Sequence, residues 1–176
     1  MKSTLKLRFI PLIFLLAGYQ ASYANQYEYA GDAIQWLLPA SALSLSYLEE
    51  DSDGRLQFIK SFGATAGVTY TVKLGVNRER PNGADYSFPS GHTSASFASA
   101  TYIHQRYGYK KGRIAYLAAA YVGWSRIQAD KHYTTDVLAG AALGTLTSYL
   151  FTTGKDVNLT TYGDREGVGI NIRYKW

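Results

Sequence analysis

Ser125-Arg-Ile-Gln-Ala-Asp-Lys-His132-Tyr-Thr-Thr-Asp136 is a polar corner between two runs of helical pattern, about Ile114 to Ser125 before it and Tyr133 to about Thr152 after it. Read as the corner between two helices, it sets the class of the chain around it. It also holds one of only three histidines in the protein. His132 and Asp136 are four residues apart, one helical turn, so both side chains can share a helix face. A carboxylate that accepts the Nδ1 proton of an imidazole fixes its tautomer and leaves Nε2 free as base or nucleophile. Arg126 adds a fixed cationic fork suited to phosphate oxygens.

Upstream, the pattern repeats. Gly31 to Leu48 is mostly apolar and reads as a helix that Pro39 kinks or interrupts. An acidic turn, Glu49 to Gly54, follows, with Ser52 or Asp53 as cap of a second helix from about Arg55 towards Leu74. The small residues of its middle, Gly63 to Val72, suit close approach of a neighbouring helix. Asn82-Gly83 marks a turn, and Ser90 is placed as N-cap of a third helix ending near Tyr107. Gly112-Arg113 separates this helix from the fourth.

The tail changes period. Val168, Ile170, Ile172, Tyr174 and Trp176 alternate with Gly169, Asn171, Arg173 and Lys175, as in a strand. Val157 and Leu159 begin its partner, with 163–167 as the turn. Two strands are too few for a barrel, so a hairpin packed on the bundle, on a second copy or on a membrane surface is expected. The expected fold is therefore all-α: a compact bundle of about five to six helices over residues 25–154, then a short C-terminal β-hairpin over 155–176.

Residues 1–24 resemble a secretory leader. A basic start from Met1 to Arg8 leads to an apolar run, Phe9 to Gly18, and to small residues at Ser22 and Ala24. That run is shorter than the roughly 20 residues a membrane span needs. The chain of 176 residues carries a formal charge of +5. Lys2, Lys6 and Arg8 supply three of those charges, and the remaining +2 argues against a nucleic-acid partner. There is no cysteine, hence no disulfide framework. A mean hydropathy of −0.17 is low for a chain that crosses a membrane many times. An exported protein, soluble or lying at a membrane surface, is the expectation.

Three clusters carry the chemistry: Lys73 with Arg80, placed on one helix face if the helix persists; Pro89-Ser90-Gly91-His92; and Arg126, His132 and Asp136. The second is an anion site, because free N–H groups at a helix start point outward and the dipole favours negative charge. Gly91 permits close backbone approach, and the Ser90 hydroxyl adds a donor. Lys73, Arg80 and Arg126 bring three cations, which suits a multiply charged tetrahedral oxyanion, phosphate first. Two histidines flanking it suggest one nucleophile and one acid.

In order and spacing these residues resemble the three-part signature of the type 2 phosphatidic acid phosphatase superfamily, which includes bacterial acid phosphatases, lipid phosphate phosphatases and vanadium haloperoxidases. The resemblance implies a helical bundle and a reaction that needs no metal or other cofactor. It implies His132 as the nucleophile that forms a phosphohistidine, oriented by Asp136, and His92 as the acid for the leaving group and then the base for water. It implies Lys73, Arg80, Ser90, Gly91 and Arg126 as phosphate ligands. The expected function is an exported phosphatase acting on monoesters or diphosphates. The apolar helices and the hairpin favour a lipid substrate, of isoprenoid diphosphate or phosphatidylglycerol phosphate type, met at a membrane face. A broad-specificity soluble acid phosphatase is the alternative; vanadate-dependent halide oxidation and a non-catalytic envelope binding protein stand further off. His104, Arg78 and Lys131 read as surface residues, with Arg78 and Lys131 able to steer anions.

Overall fold

Each helix start and stop follows from a local signal. The computed structural model describes residues 10–155, 157–164 and 167–174, with side chains for 26–155 and 167–169. Helix α1 spans Ile10–Leu48, α2 Ser52–Val76, α3 Gly91–Tyr107, α4 Tyr109–Gln128 and α5 Thr134–Phe151; strands β1 (Val157–Asp164) and β2 (Gly167–Tyr174) follow. The cap of α2 is Asp51, one residue before the expected pair, and its carboxylate accepts the Gly54 amide at 2.9 Å. Asn77, in the left-handed conformation at φ 40°, closes α2. Ser90 caps α3 as expected. Gly108, and not Gly112-Arg113, divides α3 from α4; Gly112 lies inside α4 with its missing side chain against His104.

Helix α1 differs most from its expectation. It is one helix through both Ala24 and Pro39. Pro39 forfeits a single backbone bond, while Leu38 and Ala42 beside it are packed in the core and hold the helix together.

The bundle is organised around α3, which packs against all four other helices. Its interior face is made of small residues, Thr93, Ser94, Ser96, Ala98, Ser99 and Ala100 among them. The closest crossing is with α5, where Gly140 and Gly144 lie against the α3 backbone. A Cβ at Gly140 would stand 2.5 Å from the Ser90 carbonyl oxygen, and one at Gly144 would collide with that of Ser94. Only glycine permits that contact. The close approach expected over 63–72 runs through its buried threonines, Thr65 against Thr147 of α5 (2.5 Å) and Thr69 against Ser94 of α3 (2.9 Å), and not through its glycines: a Cβ on Gly63 or Gly67 meets nothing within 4 Å.

Larger apolar side chains gather towards the Tyr107 end of α3, where Phe58 and Tyr102 stack at 4.9 Å with Leu38, Ile103 and Ala119 around them. The two strands pair antiparallel, from Val157 with Tyr174 to Asp164 with Gly167, as the alternation predicts. Among the described residues they touch each other and no helix. Lys175 and Trp176, the end of the expected alternation, lie outside the described residues. No helix, among those residues, is long and apolar enough to cross a membrane.

Candidate active site

The left-handed turn at Asn77 ends α2 just after Lys73, so Arg80 sits on the following loop and not on the helical face that the seven-residue spacing predicts. The loop folds back through Arg80 N–H to Ala84 O (2.7 Å) and Ser87 N–H to Arg78 O (2.6 Å). It then docks on α5 through Ser90 N–H to Asp136 O (2.9 Å). These bonds return Arg80 to the neighbourhood of Lys73 and set the start of α3 beside the start of α5.

His132 and Asp136 are likewise not on one helix face. His132 lies in the corner before α5, while Asp136 is the third residue of α5 and accepts the Tyr133 amide at 2.9 Å. The pair still meets, with Nδ1 and Oδ2 3.8 Å apart. Asp136 is fully buried and ionically paired: Arg78 Nη1 donates to Oδ1 at 2.9 Å, and the Ser87 hydroxyl donates to Oδ2 at 2.5 Å. Arg78 also covers the Tyr133 ring at 4.1 Å.

A cavity of about 500 Å³ opens here. Five of the eight expected site residues line it: Lys73, Arg80, Gly91, His92 and His132. The other three stand behind that floor. Asp136 is beneath His132. Ser90 is buried, its hydroxyl accepting from Thr93 Oγ1 at 2.9 Å. Arg126, only 2% exposed, turns its guanidinium to α1, donating to Asp32 Oδ1 (2.6 Å), the Glu28 carbonyl (2.8 Å) and Ser125 Oγ.

Asp32 is the residue that the sequence reading passed over. Its Oδ1 also meets His92 Nε2 at 3.0 Å, so one carboxylate oxygen bridges two of the expected site residues. Gly31 makes the approach possible, since a Cβ there would collide with Ser125 Oγ and stand 2.6 Å from Arg126 Nη2. A signal existed: Asp32 is the one acid between Glu28 and Glu49, in an otherwise apolar helix. Ser87 and Arg78 carried weaker signals, being loop residues inside the signature's span. Lys131, expected as a surface residue, pairs with Glu28 at 3.0 Å. His104 stacks edge-on with Tyr109 and Tyr116, far along α3 from the cavity.

The electrostatics are those of a site short of negative charge. Lys73 Nζ and Arg80 Nε donate to backbone carbonyls, of Tyr86 (2.6 Å) and Asp85 (3.0 Å). Burial, and then the Arg80 charge, depress Lys73 to about 8, against the opposing pull of Asp136. Burial, Arg80 and Lys73 drive His132 down to about 3, although Asp136 opposes them. His132 is thus a neutral imidazole across the physiological range. Burial and Arg126 lower His92 below its ordinary 6.5, and Asp32 resists. Clustered cations that lower one another's proton affinity gain most from an anion placed among them.

A family model described as the PAP2 superfamily matches residues 54–158, more than half of the chain. The chain belongs to that superfamily. Among its relatives, a lipid A 1-phosphatase of Porphyromonas gingivalis is 41% identical over 88 residues, which cover 48% of this chain and 20% of that protein. A lipid A 1-phosphatase of Helicobacter pylori is 29% identical over 126 residues, 66% of each chain. This chain therefore spans a fifth of the first relative's length and just under two thirds of the second's. The crystal structure of Aquifex aeolicus LpxE superposes with a TM-score of 0.61 at 22% identity, over 73% of this chain and 82% of that one, a likeness of fold. All of helix α1 lies outside the family match, yet it supplies Asp32 to the site.

Proposed function

We propose that the protein is a lipid phosphate phosphatase working through a phosphohistidine on His132. The observation that carries the reading is the make-up of one cavity. Its floor holds Lys73, Arg80, His92 and His132, and its walls hold Trp36, Phe62, Ala66, Tyr70 and Ala95 from α1, α2 and α3. A phosphate on that floor meets two cations and the start of α3, while an apolar tail attached to it leaves between α1 and α2.

In this reading His132 Nε2 attacks phosphorus, forming a P–N bond as the P–O bond to the leaving group breaks. His92 gives its proton to the departing oxygen. The same imidazole, now neutral, takes a proton from water, which attacks the phosphohistidine and releases phosphate and free His132. His132 begins in the state the step needs, neutral by burial. His92 is lowered by burial and Arg126 in the empty site, and the Asp32 carboxylate together with the charge of an incoming phosphate favours the protonated form that the step requires.

Membrane contact agrees with where the apolar residues lie. Leu56 and Ile59 on α2, Leu117 on α4 and Leu146 and Leu150 on α5 are more than half exposed, while Ser94, Ser96, Ser99 and Thr101 fill the interior. A bundle with hydroxyls inside and leucines outside suits a surface laid against a membrane better than one wholly in water. The leader-like first 24 residues extend the proposal to export into the cell envelope.

The names of the relatives make a lipid A 1-phosphate the first substrate to test, with isoprenoid diphosphate and phosphatidylglycerol phosphate after it. Purified protein in detergent is expected to release phosphate from the lipid with a kcat/KM at least about tenfold above that for para-nitrophenyl phosphate, since burial of a tail adds a few kcal/mol. Equal efficiency on both would leave a broad-specificity acid phosphatase as the better reading.

A further inference from the structure

Asp136 is expected to orient His132 directly, and the geometry does not allow it. The Nδ1 to Oδ2 separation of 3.8 Å is beyond hydrogen-bond reach. The Ser87 hydroxyl lies between them, buried at 0% exposure, 3.4 Å from His132 Nδ1 and bonded to Asp136 Oδ2. A serine hydroxyl has one proton and two lone pairs, and an ionised carboxylate only accepts. Asp136 is ionised, being paired with Arg78 on its other oxygen. The Ser87 proton is therefore committed to Asp136, and what Ser87 offers His132 is a lone pair. An acceptor facing Nδ1 requires the imidazole proton to be there, which leaves Nε2 unprotonated on the cavity side.

We propose that Ser87 is the positioning residue for His132, relaying the charge of Asp136 to Nδ1 and holding the imidazole in the tautomer whose Nε2 faces the phosphate. The inference rests on the phosphohistidine reading above, but its structural half stands without it. Ser87 is itself held from two sides. Its amide donates to the Arg78 carbonyl at 2.6 Å, and the Arg78 side chain holds the far side of the same carboxylate. The loop, the carboxylate and the hydroxyl form one clamp around Nδ1.

The test combines ¹⁵N spectra of the histidine rings with steady-state kinetics. In the parent protein His132 is expected as the Nδ1–H tautomer. An Nε2–H tautomer overturns the proposal, whatever the protein hydrolyses. Ser87→Ala is expected to mix the tautomers and lower kcat by about 10- to 100-fold with KM within a few-fold. Ser87→Thr, which restores the hydroxyl, is expected to recover most of both. Ser87→Cys keeps the size with a poor acceptor and serves as second variant if the alanine protein does not fold; it is expected to behave like alanine. A pure Nδ1–H tautomer and unchanged kcat in the alanine or the cysteine protein would show that Asp136 acts alone and sink the relay. Absence of phosphate release by the parent, with the tautomer as expected, would overturn the phosphatase reading and leave Ser87 in its place.

Discussion

At the Tyr107 end of α3, Arg106 meets Asp51; at the Gly91 end, Arg126 meets Asp32. The ends are about 25 Å apart along a 17-residue helix. Both pairs are short, and both arginines are buried. Asp51 nevertheless receives two bonds from Arg106 at 2.6 Å, one from Tyr107 and one from the Gly54 amide, filling both oxygens. Arg106 Nη1 donates to the carbonyls of Thr153 and Gly154, tying the chain after α5 to the bundle. Burial pushes Asp51 up, but those bonds outweigh it and hold the carboxyl at about 2. Asp32 is 41% exposed at its side chain and shares one oxygen between Arg126 and His92, while Lys73 and Arg80 in the cavity donate to neutral carbonyls. A finished charge cluster holds helices together. An unfinished one waits for an anion.

The sharpest way to break this contrast is to remove one residue from each end. His132→Ala is expected to abolish turnover, by at least about 10⁴-fold, together with any acid-labile phosphoenzyme. Its melting temperature is expected to stay at or above that of the parent, because the substitution removes a buried imidazole from a cluster of cations. Detectable phosphoenzyme in the alanine protein would remove His132 from the chemistry.

Arg106→Met is the matching change at the other end. It leaves Asp51 as an uncompensated buried charge, which costs about 3–5 kcal/mol, and frees the Thr153 and Gly154 carbonyls. Chemical denaturation should show that loss, while kcat/KM per folded molecule stays within a few-fold of the parent. The deficit should shrink as pH falls from 3.8 towards 2, where Asp51 of the parent takes up a proton and its own pair is lost. A large fall in kcat/KM without a fall in stability would mean the two ends are coupled through α3.

The fold and the site were legible in the sequence to different depths. Helices α2 to α5 and the hairpin were legible because periodicity is local and a cap such as Ser90 acts within a few residues; the stops at Asn77 and Gly108 were not read, the second being placed at Gly112-Arg113. Lys73, Arg80, Gly91, His92 and His132, singled out in the sequence as residue types that suit a phosphate, line one cavity. Partnerships were not legible. Asp32 with Arg126, Ser87 with Asp136 and Asp51 with Arg106 join residues 49 to 94 positions apart, and no local pattern specifies such a pair. The glycines misled for the same reason: Gly63 and Gly67 face open space while Thr65 and Thr69 between and after them are buried, and it is Gly140 and Gly144 that touch backbone. Spacing also suggested two shared helix faces that do not exist, Lys73 with Arg80 and His132 with Asp136. In both, a helix boundary falls between the partners and the loop brings them back together.

The smallest expected effect, and the finest test of the contrast, is on Lys73. Burial and the Arg80 charge bring it to about 8, so in the empty protein its ammonium form is lost as pH rises through that value. Below it, Lys73 is charged and the phosphate site complete. Above it, one cation is gone and kcat/KM should fall a few-fold, with kcat itself turning at higher pH, because bound phosphate raises the lysine's proton affinity. Lys73→Arg keeps the charge at every accessible pH and should remove that alkaline turn, at the cost of a poorer fit to the Tyr86 carbonyl. Arg106, whose partner raises its proton affinity, can give no such turn. Persistence of the turn in the arginine variant would assign it elsewhere and mean that the unpaired charge around the cavity does not set phosphate affinity.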